Sequence, residues 1–426
     1  MNIIIGAGLT GLSTGFHTKN SIVLEKSGHI GGLGGSIKKN GFIFDYGEHN
    51  LRIENNYLEG EENKYYIDFI KKILKNNLIK TKKQAFIYFE GNYHVRPFQH
   101  NLFGARKDVV RDCLIGALKS DRDKVPKDFK ENLINLFGEG LCQYFMFPYN
   151  QKAWGYDLSK MKPKLWISKR FGTIFDMDKF VTGAIFPHKE DKTRINYPQS
   201  GFQQIGDSIY TLIKDKVKLN SKVTKINQKN KTVEINNSET VQYSTLISTI
   251  PLPELIKLIS DVPDKVRKAA EELKYNSLLC INLGVNRPNI TDKQYIYYPE
   301  EKYPFVRLSF PMNQSSATVP AGKSGICVEI VYSKWRPIDK EKILNEIESH
   351  LINIGIITKE DEILFKETTD DKYSYIIQDL DCDKNLKIIQ DFLNEIKVHS
   401  IGRYGEWKHS GVEHAILDGK NIGEKS

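Results

Sequence analysis

The chain has 426 residues, 40% apolar and 27% charged, enough to bury a large core and to build two or three domains. No apolar run approaches the roughly 18 to 20 residues that cross a bilayer. The formal charge of +9 comes from lysines and arginines interleaved with acidic residues, which speaks against a nucleic-acid binder and for attraction of small anions.

Residues 2 to 5 (NIII) read as a buried strand running straight into a glycine loop, with none of the basic leader or cleavage site of a secretory signal. Five scattered cysteines (Cys113, Cys142, Cys280, Cys327 and Cys382) form no CxxC pair and read as buried thiols. A cytoplasmic protein without a disulfide framework is expected. The scattered histidines suggest no metal site.

Leu9 to Lys19 reads as a short helix and Ser21 to Glu25 as a second strand, giving a strand-helix-strand start. Between the first strand and the helix, "GAGLTG" places Gly6, Gly8 and Gly11 in a GxGxxG pattern that continues through Leu9 and Thr10. The first glycine permits a tight turn, the second lets a pyrophosphate approach the backbone, and the third lets helix and strand pack closely. The unpaired N–H groups of the helix start then face the phosphates. Glu25, 19 residues after Gly6, closes the second strand where a carboxylate can accept ribose hydroxyls, with Lys26 beside it. A second glycine cluster follows, with Gly31, Gly32 and Leu33, and then "SIKKNGFIFDYG", a hairpin turning at Asn40-Gly41.

Residues 62 to 80 and 103 to 145 show apolar residues at helical intervals, and "AFIYFEGNYHVRPF" between them reads as a hairpin turning at Glu90-Gly91. "FPYNQKAWG" (147 to 155) sets Tyr149 and Trp154 five apart, which is neither a helical nor a strand interval for one buried face. "KVTKINQKNKTVEI" reads as a hairpin, "YSTLISTIP" as a buried strand, 277 to 335 as several tyrosine-rich strands, 338 to 356 as a helix, and "VHSIG" as a last strand before a terminal helix near Val412.

The order of Glu25, the second glycine cluster and the "GFIFDYGEH" hairpin resembles the FAD-binding superfamily of amine oxidases, protoporphyrinogen oxidases, phytoene desaturases and UDP-galactopyranose mutases. The resemblance implies an α/β protein, α+β overall, whose Rossmann-like FAD-binding domain of the glutathione-reductase type carries inserted helical and antiparallel β-sheet substrate regions. The expected segments are 1–60, 193–270 and 381–426 for the FAD-binding domain, 61–192 for a mainly helical region with a hairpin, and 271–380 for the sheet region. It also implies an adenine contact at Val223 and a closing flavin motif at Gly402 and Arg403, before a helix whose N-terminus at Gly411 and Val412 faces the flavin.

The segment "FPYNQKAWGYDLSKMKPKLWISKR" resembles UDP-galactopyranose mutase and mutase-like flavoproteins of polysaccharide biosynthesis. Carried over, Tyr149, Trp154, Trp166 and His409 would line a nucleotide-sugar pocket. Arg307, in "YPFVRLSFP", and Arg170 would grip the diphosphate, and Tyr375 and His49 would lie near the reacting centre. The implied reaction is a pyranose–furanose interchange with reduced flavin N5 as nucleophile at the anomeric carbon, which requires an external reductant and is compatible with a homodimer. The rival is a flavin oxidoreductase of the protoporphyrinogen oxidase, amine oxidase or desaturase type, because "QYIYYPEEKYPFVRLSFPMNQS" is also similar to the protoporphyrinogen oxidase branch. A flavin-binding partner protein without activity is the third class.

Overall fold

A computed structural model describes residues 1–53, 58–75, 77–163, 175–187 and 193–425. Asn2–Ile5 forms the centre of a five-stranded parallel sheet, ordered Val398–Ser400, Thr245–Ser248, Asn2–Ile5, Ser21–Leu24, Val217–Lys218. Parallel strands need both faces covered, and alternate residues supply the two faces here. Ile4, Val23 and Ile247 pack under helices Leu9–His17, Gln203–Ile213 and Val412–Gly423. Ile3, Ile5, Leu24 and Leu246 pack against helices Leu252–Leu258, Asp264–Glu271 and Cys382–Glu395 and the three-stranded unit that begins at Val223–Asn227. Strands from both ends and the middle of the chain thus make one sheet.

The second large element is a seven-stranded sheet, ordered Ile363–Asp371, Ser277–Val285, Ser324–Tyr332, Arg307–Ser309, Tyr295–Tyr297, Ala85–Phe89, Asn92–Val95. All its pairings are antiparallel except Tyr295–Tyr297 with Ala85–Phe89. Helix Lys340–Asn353, capped by Asp339 accepting from Lys342 N, covers one face around Ile281, Val328 and Ile347. Phe42 and Phe44 of the early hairpin pack against Cys280, Cys327 and Val331 of the other face. That hairpin turns at Asn40 and Gly41, both with positive φ (50° and 82°), as a two-residue hairpin turn demands.

Three expectations from periodicity need correction. The helix expected over 62 to 80 is Gly60–Leu74, and Leu78–Lys82 is a strand paired with Arg194–Pro198, because a ladder partner outweighs local propensity. The helix expected over 103 to 145 is two helices, Lys107–Lys119 and Phe129–Leu141, which approach closely where Gly116 meets Gly138 and Gly140; Gly138 itself has φ +77°. "FPYNQKAWG" is helical after all. Phe147–Trp154 follows a π-helical stretch, Cys142–Met146, and ends at Gly155, whose φ of +61° suits glycine as a helix stop.

Candidate active site

The dinucleotide loop is built from backbone approach. Gly6 has φ +98°, and a Cβ on Gly11 would overlap the carbonyl of Gly6, so the helix start can pack on the strand end only without a side chain. Gly8 is different: its φ is −68° and a Cβ there would meet nothing within 4 Å. The second glycine loop closes against the first, with Gly31 N donating to Ala7 O at 2.8 Å and Gly8 bridging Gly31. Gly32 is exposed beside them, and Leu33 is half-buried in the turn Gly32–Gly34.

Glu25 stands at the mouth of this loop, accepting from Ala7 N at 2.8 Å and from Ser27 N and Oγ at 3.0 and 2.9 Å. Its backbone carbonyl accepts from Ser221 N at 2.7 Å, which brings buried Val223 next to it, while Lys26 is exposed. From the other end of the chain, Gly402 (φ +81°) packs on Thr10, and Ser13 Oγ donates to Ile416 O at 2.7 Å, locking helix Val412–Gly423 onto helix Leu9–His17. Gly411 caps that terminal helix. The Arg403 guanidinium lies 5.1 Å from the Tyr375 ring centroid, and its Nε is buried with no hydrogen-bond partner among the described residues. An open position over Gly8, two helix starts aimed at one loop cluster and an orphaned guanidinium nitrogen all fit a large anionic dinucleotide.

Helix Phe147–Trp154 divides the rest of the site. Five positions put roughly 140° between Tyr149 and Trp154 around a helix axis, so the pair serves two different walls. Tyr149 stacks on Phe145 (5.5 Å between centroids) and meets the Tyr297 ring edge-on at 6.0 Å. Trp154 is buried and meets Tyr375 at 6.0 Å and His409 at 5.5 Å, both edge-on. Trp154 is therefore a core anchor whose ring also walls the side holding Tyr375, His409 and Arg403.

Lys152, from the same helix, is fully buried and donates to Tyr298 O and Glu300 O at 2.8 and 2.9 Å. Burial pushes its ammonium down to about 7, and the neutral amine still has the two N–H donors those carbonyls require. The unfolded chain then holds a proton that the folded chain lacks between about 7 and 10.5, so this lysine adds stability as pH rises through that window. Lys152→Met is expected to lose stability relative to wild type progressively from pH 7 to pH 10 in urea unfolding; an unchanging deficit would refute the assignment.

The Tyr149 wall carries the strongest electrostatics. Arg307 Nε donates to Glu329 Oε1 at 2.8 Å and its Nη2 to Glu329 Oε2, a two-pronged contact between residues directly opposite in paired strands. Its Nη1 donates to Glu48 Oε2 at 2.6 Å. Burial pushes the Glu48 carboxyl up, but Arg307, Lys83 and Arg96 together hold it below the usual carboxylate range. Arg96 and Arg307 lie 4.9 and 5.5 Å from the Tyr297 ring centroid. Arg307, expected to be open for a diphosphate, is thus engaged by two carboxylates.

His49 contacts Gly47 O through Nδ1 at 3.2 Å and leans on Phe202; burial pushes its imidazole below the usual value against the pull of Asp45 and Glu48. It lines a small cavity with Asp45, Glu48, Tyr197, Gln314 and Cys327. Asp45 accepts from Ser36 Oγ, Tyr197 OH and Phe202 N, tying the hairpin to the 194–203 segment. Trp166 and Arg170 lie outside the described residues. The structure therefore gathers Gly6, Gly8, Gly11, Glu25, Gly31, Gly32, Val223 and Gly402 around one cradle, and sets Tyr149 beside Tyr297 and Arg307 and Trp154 beside Tyr375 and His409, with Tyr149, Trp154, Tyr297 and Tyr375 in one apolar cluster in which Tyr375 also faces Tyr149.

Sequence reading missed Glu48, Arg96, Tyr297 and Glu329. The available signal for Glu329 was a lone carboxylate in the apolar strand "GICVEIVY". Among the described residues no cluster of His, Cys, Asp and Glu is suited to a metal, and no helix is long and apolar enough to cross a membrane.

Residues 12–373 match the model of the flavin containing amine oxidoreductases. A protoporphyrinogen oxidase of Dictyostelium discoideum is 22% identical over 355 residues, covering 66% of this chain and 65% of the relative, so the chain spans a little under two thirds of that protein. The crystal structure of a reduced UDP-galactopyranose mutase superposes with a TM-score of 0.90 at 24% identity, covering 99% of this chain and 93% of the other. An Exiguobacterium sp. 255-15 structure, proposed to be a protoporphyrinogen oxidase, gives 0.73 at 13% identity, covering 100% and 98%. At such identities these structures share the fold. With the family match spanning most of its length and a dinucleotide cradle that fits FAD, the chain belongs to the flavin containing amine oxidoreductase family.

Proposed function

We propose that the protein is an FAD-dependent enzyme acting on a nucleoside-diphosphate sugar, a pyranose–furanose mutase of the UDP-galactopyranose mutase kind. The observation that carries this reading is the helix Phe147–Trp154, which presents Tyr149 to a wall of Tyr297, Arg96 and Arg307 and Trp154 to a wall of Tyr375, His409 and Arg403. The fold-wide likeness to reduced UDP-galactopyranose mutase supports it.

On this reading Tyr149 and Tyr297 offer ring surface to the base, the arginines beside them neutralise the diphosphate, and Trp154, Tyr375 and His409 enclose the sugar. When bound and reduced, FAD supplies a nucleophilic nitrogen at the anomeric carbon, with no net redox change. The N-terminus of helix Val412–Gly423 and Arg403 would favour a negatively charged flavin ring.

A second reading, net hydride transfer from a small molecule, draws support from Arg307: its guanidinium is already paired with Glu48 and Glu329, so a diphosphate binds there only by displacing a carboxylate, a cost that a neutral hydride donor does not meet. Dithionite-reduced protein is expected to convert a UDP- or dTDP-hexopyranose to its furanose form, detected by anion-exchange chromatography, while the oxidised protein does not. Oxygen-consuming turnover of an amine or another hydride donor, without furanose product, would replace the first reading with the second.

A further inference from the structure

The two carboxylates on Arg307 are not equivalent. Glu329 is 3% exposed, faces Arg307 across paired strands, takes two of its nitrogens and also accepts from Ser309 Oγ at 3.4 Å. Glu48 makes one contact, through Nη1, from the loop after Gly47, whose φ is +81°. Its other oxygen accepts from Asn50 Nδ2 at 2.7 Å, two residues along the same loop. Glu329 is built into the sheet; Glu48 belongs to a loop and holds one edge of the guanidinium.

That edge lies on the wall shared by Tyr149, Tyr297 and Arg96. Arg307, Lys83 and Arg96 all act on Glu48, so the cluster around the two carboxylates carries three positive charges against two negative and still favours an added anion. An incoming anion at Arg307 Nη1 meets Glu48 as a direct competitor, by like-charge repulsion and by occupation of the same donor.

We propose that Glu48 is a specificity-determining residue that occupies the position of a ligand's anionic group on Arg307 and is displaced when a phosphate group binds there. For the identity of the ligand this rests on the nucleotide-sugar reading; the exchange at Arg307 Nη1 does not. Glu329 keeps the guanidinium aimed throughout, so exchange costs one hydrogen bond and leaves the arginine in place. The consequence is selection: a weak monoanion does not dislodge Glu48, whereas a diphosphate, with more charge and more acceptors, does.

The test is binding of inorganic pyrophosphate and of UDP to the flavin-loaded protein, followed by calorimetry. Glu48→Gln keeps the shape and the Asn50 contact but removes the charge, and is expected to tighten both ligands by about 10-fold. Glu48→Ala, with Arg307 still held by Glu329, gives a gain of the same sign, so a folding defect peculiar to one variant does not decide the matter. In the background of Arg307→Met the gain disappears. Pyrophosphate and UDP binding that are both unchanged or weakened in both Glu48 variants overturn the proposal while leaving the nucleotide reading standing. Tightened pyrophosphate with UDP no better than pyrophosphate supports the proposal and sinks the nucleotide reading. Absence of binding by either ligand to any form overturns both.

Discussion

Gly8→Ala is expected to fold as the wild type does and to lose its flavin. The position has φ −68°, where alanine is unstrained, and its Cβ would meet nothing within 4 Å of the protein itself. Without ligand the substitution is neutral or slightly stabilising, since alanine reduces the freedom of the unfolded chain by about 0.4 to 1 kcal/mol. The only thing the methyl group obstructs is whatever approaches the loop from outside, and FAD affinity is expected to fall by about 100-fold, close to 3 kcal/mol. Gly11→Ala fails for the opposite reason. Its Cβ would overlap the Gly6 carbonyl, which is backbone and cannot swing away. Overpacking of this kind costs about 1 to 3 kcal/mol where side chains can adjust, and the upper end or beyond is expected here. Thermal unfolding of apoprotein and flavin titration separate the two. If Gly8→Ala holds FAD as tightly as wild type, the pyrophosphate does not cross this loop.

The same loop shows why one half of the molecule was legible in the sequence. A GxGxxG turn, an acidic strand end and an Asn-Gly hairpin depend on neighbours within some 45 residues, and each glycine does a local job that its letter announces. Val223 and Gly402 were placed through resemblance; in the structure Ser221 N, two residues before Val223, donates to Glu25 O, and Gly402 lies against the Thr10 side chain. The other wall was not legible, because Glu48, Arg96, Arg307 and Glu329 are 281 positions apart at their extremes and meet only after a parallel pairing and two antiparallel ones. Nothing in "YPFVRLSFP" says that the arginine's partner lies 22 residues on, or that a second carboxylate arrives from the hairpin near the N-terminus. "FPYNQKAWG" misled in a more instructive way. A spacing of five is a poor signature for one buried face, yet it suits a helix wedged between two walls, with Lys152 fastening its remaining side to the 298–300 backbone.

Arg307→Met is expected to be the most destabilising substitution at the site, by about 3 to 5 kcal/mol at pH 7, because it leaves Glu48 and Glu329 facing each other with their shared cation gone. The pH dependence identifies the cause. In the wild type, Glu48 is held below 4.5, so its pairing is fully present above that value and stability is lost as pH falls through the lowered folded value. In the variant the sign reverses. Burial then pushes the Glu48 carboxyl up with its largest opposing charge gone and Lys83 and Arg96 left to pull it down, the folded protein takes up a proton more readily than the unfolded chain, and stability is recovered as the solution is acidified. Urea unfolding at pH 7 and pH 5 is therefore expected to show a deficit that shrinks toward pH 5, where the wild type has not yet begun to lose its pairing. A deficit of equal size at both pH values would mean that the substitution disturbs packing alone, and that the carboxylates are tolerated without their arginine. Flavin occupancy provides the second readout, because the cradle of Gly8, Glu25 and Gly402 shares no residue with this cluster and is expected to hold FAD in the folded fraction of the variant.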